Sequence, residues 1–78
     1  MVINSVAGSG NTTYTYTDTS NPNPSRIAIT NDGAANIVLT VNSLNITIKG
    51  GEGLVESFKP FTTFALTTTS SYRYLVGR

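Results

Sequence analysis

The chain of 78 residues contains no cysteine, no histidine and no tryptophan, and only 12% of its residues are charged. Without cysteine it has no disulfide, and without cysteine or histidine it lacks the usual ligands of a structural zinc site. A domain of this size buries only roughly 60% of the surface that its unfolded chain exposes, so its core is small. We therefore expect oligomerisation or docking on a larger partner to supply further stability.

The charge is close to balanced, because five basic side chains oppose four acidic ones for a formal net charge of +1. Nucleic-acid binding by counterion release needs a basic surface, so we expect no nucleic-acid partner. The first residues resemble no signal peptide, and no segment reaches the roughly 18 apolar residues of a membrane span. We expect a protein made in the cytoplasm, with no membrane partner.

The clearest local pattern lies between residues 37 and 48, where apolar residues alternate with polar ones in two short runs. A two-residue turn at Asn42 and Ser43 would pair each apolar residue of the first run with one of the second. The pattern predicts a hairpin with six inward-facing residues, namely Ile37, Leu39, Val41, Leu44, Ile46 and Ile48.

The composition changes near residues 22–25. Before that point aliphatic residues are few, and residues 12–17 alternate, with Tyr14 and Tyr16 on one face of a strand and threonines on the other. Pro22 and Pro24 favour an extended connector. We interpret residues 1–25 as an N-terminal arm or pair of strands that docks on, or is exchanged with, a neighbouring subunit. Residues 26–78 form the β-sandwich core of what is a single domain overall.

Seven to eight short strands without any helical periodicity predict an all-β fold. A small antiparallel β-sandwich with a jelly-roll-like arrangement fits this number and length of strands. The alternative is a small closed barrel of the oligonucleotide-binding type, which has five longer strands and usually a helix.

Four segments carry a resemblance to a known group of proteins: ITNDG at 29–33, VLTVNSLNITI at 38–48, FKPFT at 58–62 and YRY at 72–74. They resemble small all-β modules in structural proteins of tailed bacteriophages and prophages, over about the last two thirds of the chain. Such modules occur as capsid-associated proteins or as pieces of tail and fibre proteins, so the resemblance implies a virion role in many symmetric copies without catalysis. We predict a capsid-associated, decorating protein. We also expect homo-oligomeric assembly, with a larger virion protein such as the major capsid protein as partner.

Groups suited to catalysis are scarce. A serine or threonine nucleophile needs an activating base, and there is no histidine to provide one. Glu52 and Glu56 are the only carboxylates close in sequence, and nothing adjacent would make one an acid and the other a base. Asp32 has no second acid nearby to help bind calcium. We therefore predict no enzymatic activity, no catalytic residue, no cofactor and no metal site.

The candidate contact residues are two tyrosine pairs, Tyr14 with Tyr16 and Tyr72 with Tyr74, together with Arg73 between the second pair. Each pair has i, i+2 spacing and so shares one strand face, and an exposed aromatic platform edged by amides suits a sugar. The alternative function is thus a glycan-binding module of a phage tail, baseplate or fibre. The competing structural interpretation is that the rings pack the sandwich with their hydroxyls at the rim.

Overall fold

The computed structural model describes residues 1–78 and contains eight strands and no helix. The strands form two four-stranded antiparallel sheets, in the orders β1-β8-β3-β6 and β2-β7-β4-β5. This confirms the predicted all-β sandwich. The strands are β1 Val2–Ser9, β2 Thr12–Thr15, β3 Arg26–Asn31, β4 Ile37–Val41, β5 Leu44–Ile48, β6 Gly53–Ser57, β7 Thr63–Thr67 and β8 Ser71–Gly77.

The connectivity is that of one long antiparallel ribbon folded back on itself. β1 pairs with β8, β2 with β7, β3 with β6 and β4 with β5, so the first half of the chain runs against the second. Rolling this ribbon brings β8 against β3 and β7 against β4. The result is the eight-stranded, two-sheet jelly roll, which confirms the jelly-roll-like arrangement over the five-stranded barrel.

The β4-β5 hairpin has the predicted register, with the partners Ile37 and Ile48, Leu39 and Ile46, and Val41 and Leu44. Asn42 and Ser43 have φ angles of 49° and 65°, as a type I′ turn requires. The prediction that all six apolar residues are buried is wrong at the turn. Leu44 is 54% exposed and Ile46 is only partly buried. The reason is that β5 is an edge strand, with a neighbour on one side only.

The core between the two sheets is built around aromatic rings. The Phe64 ring stacks on Tyr14 and meets Phe61 and Tyr74 edge to face, with ring centroids 5.3 to 5.9 Å apart. Inward positions alternate with outward ones along β3, β4 and β8, as half-buried strands require. The buried apolar residues are Ile27, Ile29, Ile37, Leu39, Val41, Ile48, Phe61, Phe64, Leu66, Tyr72, Tyr74 and Val76.

Residues 1–25 contribute β1 and β2, which pair with β8 and β7 of the same chain. Val6 and Tyr14 pack against the core and anchor these two strands. Within one chain this segment therefore completes both sheets, and residues 26–78 supply the other six strands. If residues 1–25 were exchanged with a neighbouring subunit, β1 and β2 would form the same strand pairs with β8 and β7 of that subunit. This exchange stays a prediction.

A buried polar cluster forms around Asn31, at the end of β3. Its side-chain amide donates hydrogen bonds to the carbonyl oxygens of Ala35 at 2.7 Å and Ile48 at 3.0 Å. Its Oδ1 accepts from the backbone N–H of Gly33 at 3.1 Å and from the hydroxyl of Ser70 at 2.7 Å. The Asn31 side chain thus joins the β3-β4 connection to the end of β5 and to the β7-β8 connection.

The two chain ends lie side by side because β1 and β8 are antiparallel neighbours. The backbone N–H of Arg78 donates to the carbonyl oxygen of Met1 at 2.9 Å, and the Met1 ammonium donates to the carbonyl of Arg78. Gly77 fits this close approach, since a Cβ there would lie 2.6 Å from the Met1 carbonyl oxygen.

Candidate functional site

Three of the four predicted contact tyrosines belong to the interior of the sandwich. Tyr72 and Tyr74 are 3% and 5% exposed, and Tyr14 is partly buried against Phe64. The Tyr72 hydroxyl donates to the carbonyl oxygen of Gly10 at 3.1 Å. These rings pack the core, as the structural interpretation proposed, and Tyr72 and Tyr74 offer no exposed platform on which a sugar could stack.

Tyr16 and Arg73 lie apart from this aromatic cluster. Tyr16 follows the end of β2, and its hydroxyl accepts a hydrogen bond from Arg78 at 3.2 Å. Arg73 projects from the outer side of β8 and donates to both carboxylate oxygens of Asp32, at 2.8 and 3.0 Å. These hydrogen bonds hold the pKa of Asp32 below its ordinary value. The structure therefore does not gather the five predicted residues into one site.

Burial of the Tyr74 ring leads us to expect that the fold loses stability at high pH. Burial, with the nearby Tyr72 and Tyr14 rings, raises the pKa of Tyr74, so the unfolded chain releases this proton at a lower pH than the folded chain. Stability should then fall as pH rises above about 10, the ordinary pKa of tyrosine. Tyr74→Phe should shift the alkaline unfolding midpoint, followed by circular dichroism, to higher pH. An unchanged midpoint would contradict this.

The exposed large apolar side chains gather on the outer side of the β1-β8-β3-β6 sheet. Five such side chains are exposed in the whole chain, and Leu44 is the only one that lies elsewhere. The other four are Met1, Val2, Val55 and Leu75, and all of them line one groove of about 130 Å³. A wider hollow of about 390 Å³ continues from it over Thr30, Gly53 and Arg73. We call this outer side of the sheet the apolar face.

Strand register places the centre of the apolar face in a single row across all four strands. Ser5 lies opposite Leu75, Leu75 opposite Ala28, and Ala28 opposite Val55. The next row on one side contains Arg26, and the next on the other side contains Thr30 and Arg73. A line of small and apolar side chains is thus bordered by charges of the same sheet, the usual layout of a contact surface.

The outer side of the second sheet has a different chemistry. One row across it contains Thr13, Ala65, Thr40 and Asn45, and the next contains Thr67, Val38 and Thr47. None of these side chains is charged. The Thr40 hydroxyl donates to Asn45 Oδ1 at 2.8 Å. We call this surface the threonine face, and its hydroxyls and amide suit hydrogen bonding to a polar, uncharged ligand.

The acidic side chains are dispersed. No group of three or more acidic side chains lies close enough to hold a metal ion. Glu52 accepts a hydrogen bond from the backbone N–H of Lys49 at 3.2 Å, in the loop between β5 and β6, and Glu56 is exposed on the edge strand β6. The structure has no helix of the length and hydrophobicity needed to cross a membrane.

No protein-family model matches the chain, and no curated protein is significantly similar to it. The apolar face and the threonine face are the two surfaces with a distinct chemistry.

Proposed function

We propose that this protein is a non-enzymatic structural protein of a tailed-phage virion that decorates and stabilises the capsid as a homo-oligomer. The observation that carries the proposal is the apolar face. Single exposed apolar residues are ordinary on protein surfaces, whereas clusters of them mark contact sites. Four of the five exposed large apolar side chains share one groove, and this clustering supports a contact with a protein partner at this face.

The jelly-roll topology supports the proposal by analogy. Viral capsid proteins and lectins are among the proteins that use double-sheet jelly rolls. A fold does not by itself imply a function, so the topology adds support only together with a suitable surface. The resemblance of residues 29–33, 38–48, 58–62 and 72–74 to phage structural modules favours a virion role over the other uses of this fold.

In this proposal the partners are further copies of the chain and a larger virion protein such as the major capsid protein, and the location is the virion. Neither partner requires a nucleic-acid-binding surface, in keeping with the net charge of +1. Nor does the role require a cofactor.

The test is co-sedimentation of the purified protein with phage particles from the strain that encodes it. The wild type should pellet with the particles, and Val55→Asp should remain in the supernatant, because it places a charge at the β6 end of the central row of the apolar face. Leu44→Asp is the matched control, since Leu44 is also exposed on an edge strand but lies off that face. A wild-type protein that stays in the supernatant would count against the proposal.

A glycan-binding module of a tail, baseplate or fibre is the second candidate. Of the two tyrosine pairs that predict it, Tyr72 with Tyr74 is buried and Tyr14 with Tyr16 is partly buried. The observation that favours a glycan partner is the threonine face. Under this alternative the wild type would bind host cell-wall polysaccharide in a calorimetric titration. Thr40→Val together with Thr47→Val would abolish that binding, because both hydroxyls lie on this face.

A further inference from the structure

We infer that the apolar face binds the same face of a second copy of this chain, in a two-fold symmetric dimer. The inference rests on the proposed function, of which homo-oligomeric assembly is a part, and it adds the surface and the direction of the symmetry axis.

The area of the apolar face is enough for a dimer of modest affinity. Four strands spaced about 4.8 Å apart, with about six residues each rising 3.3 Å, present a surface of about 19 by 20 Å. With side-chain relief this gives about 500 Å² per copy, or about 1,000 Å² in total, near the lower limit for a specific interface. We therefore expect a reversible dimer whose population depends on protein concentration.

The charges of the face select one orientation of the second copy. Arg26 lies on one side of the apolar row, and the Asp32–Arg73 ion pair, the only salt bridge of the chain, lies on the other. A two-fold axis that runs across the strands, along the central row, places Arg26 of each copy over Thr30 of the other, beside the Asp32–Arg73 ion pair and with the Asp32 carboxylate within reach. An axis along the strands would instead place β3 over β8, so that the two Arg26 side chains lie on neighbouring strands at the same end of the face, with no acidic side chain of the face between them. Charge complementarity therefore favours the axis across the strands.

The edges of the same sheet are poorly suited to pairing with another copy. The β6 edge carries Glu56, which lies opposite Ile27 and so occupies an inward-facing position. The β1 edge has an irregular register between Val2 and Asn4. Inward charges and bulges are features that prevent strand edges from pairing between molecules. A second copy is therefore expected to pack on the face of this sheet and not to extend it.

The first experiment is sedimentation equilibrium of the full chain at concentrations from about 10 μM to 1 mM, which span the affinity expected for such an area. The wild type should show a concentration-dependent dimer. Val55→Asp should remain monomeric, and the matched control Leu44→Asp should dimerise as the wild type does. A monomeric wild type at the highest concentration, or an unchanged dimer in Val55→Asp, would overturn the inference.

The second experiment tests the axis by exchanging charges. Arg26→Glu and Asp32→Lys should each weaken dimerisation by about fivefold or more, because each creates two symmetry-related like-charge contacts. The double variant should return to within about threefold of the wild type, since opposite charges face each other again. Single variants without effect, or a double variant weaker than both, would overturn the proposed axis. Circular dichroism confirms that each variant is folded.

These outcomes separate the inference from the function on which it rests. A dimer with the expected charge dependence that does not sediment with phage particles would leave the inference standing and count against the virion role. If the protein sediments with particles but is monomeric at all concentrations, the dimer inference is overturned and the virion role is supported.

Discussion

Replacing Leu39 with alanine is expected to lower the free energy of unfolding by about 2 to 5 kcal/mol, the range for large-to-small substitutions at fully buried positions. Leu39 has no exposed surface and lies in the middle of β4, opposite Ile46 of β5 and Leu66 of β7. A cavity there would weaken contacts across three strands of one sheet. Because a domain of this size has a small core, the loss is a large fraction of its stability.

Urea denaturation followed by circular dichroism measures this effect. Leu44→Ala is the matched control, because Leu44 lies in the same hairpin but is 54% exposed. It should cost less than about 1 kcal/mol, as surface substitutions usually do. Equal losses in the two variants would contradict the burial pattern of the hairpin.

Replacing Asn31 with alanine should destabilise the fold by a comparable amount, on the order of 4 kcal/mol. The substitution leaves four buried or partly buried groups without their partner: the carbonyls of Ala35 and Ile48, the N–H of Gly33 and the hydroxyl of Ser70. Each buried group that loses its hydrogen bond costs about 1 to 3 kcal/mol, less where water can reach it.

The matched control for Asn31 is Asn45→Ala. Asn45 is exposed on β5 and its side chain accepts one hydrogen bond, from Thr40 at 2.8 Å. Its loss should cost less than about 1 kcal/mol, because water replaces the lost partner. A small effect of Asn31→Ala in the same denaturation experiment would show that the polar cluster is dispensable.

Much of the hairpin could be predicted from the sequence because its determinants are local. The alternation of apolar residues on either side of Asn42 and Ser43 set the register without reference to the rest of the chain. The exposure of Leu44 could not be obtained in this way, since it depends on β5 being the last strand of its sheet. That position follows from pairings between distant segments.

The functional surfaces were missed for the same reason. Val55 and Leu75 belong to strands whose alternation does not reveal which side faces the other sheet. They share a face only because β6 and β8 both pair with β3. The role of Asn31 cannot be seen in the sequence, because its partners Ile48 and Ser70 are distant along the chain.

The prediction that two tyrosines share one strand face is confirmed for Tyr72 and Tyr74 of β8, whereas Tyr16 lies just beyond the end of β2. The sequence leaves open whether the rings are exposed or packed, because that depends on how the two sheets assemble.

The contact between the first and last residues has a consequence for how the order of the strands relates to the fold. Since Met1 and Arg78 already exchange backbone hydrogen bonds, a short linker could close the backbone into a ring without moving either strand. New ends could then be opened at the exposed Asn42–Ser43 turn, where few contacts would be lost. Such a circular permutant would lose only the covalent connection between β4 and β5, and every strand pair, β4-β5 included, could still form. We expect it to fold to the same jelly roll, with β5 as its first strand.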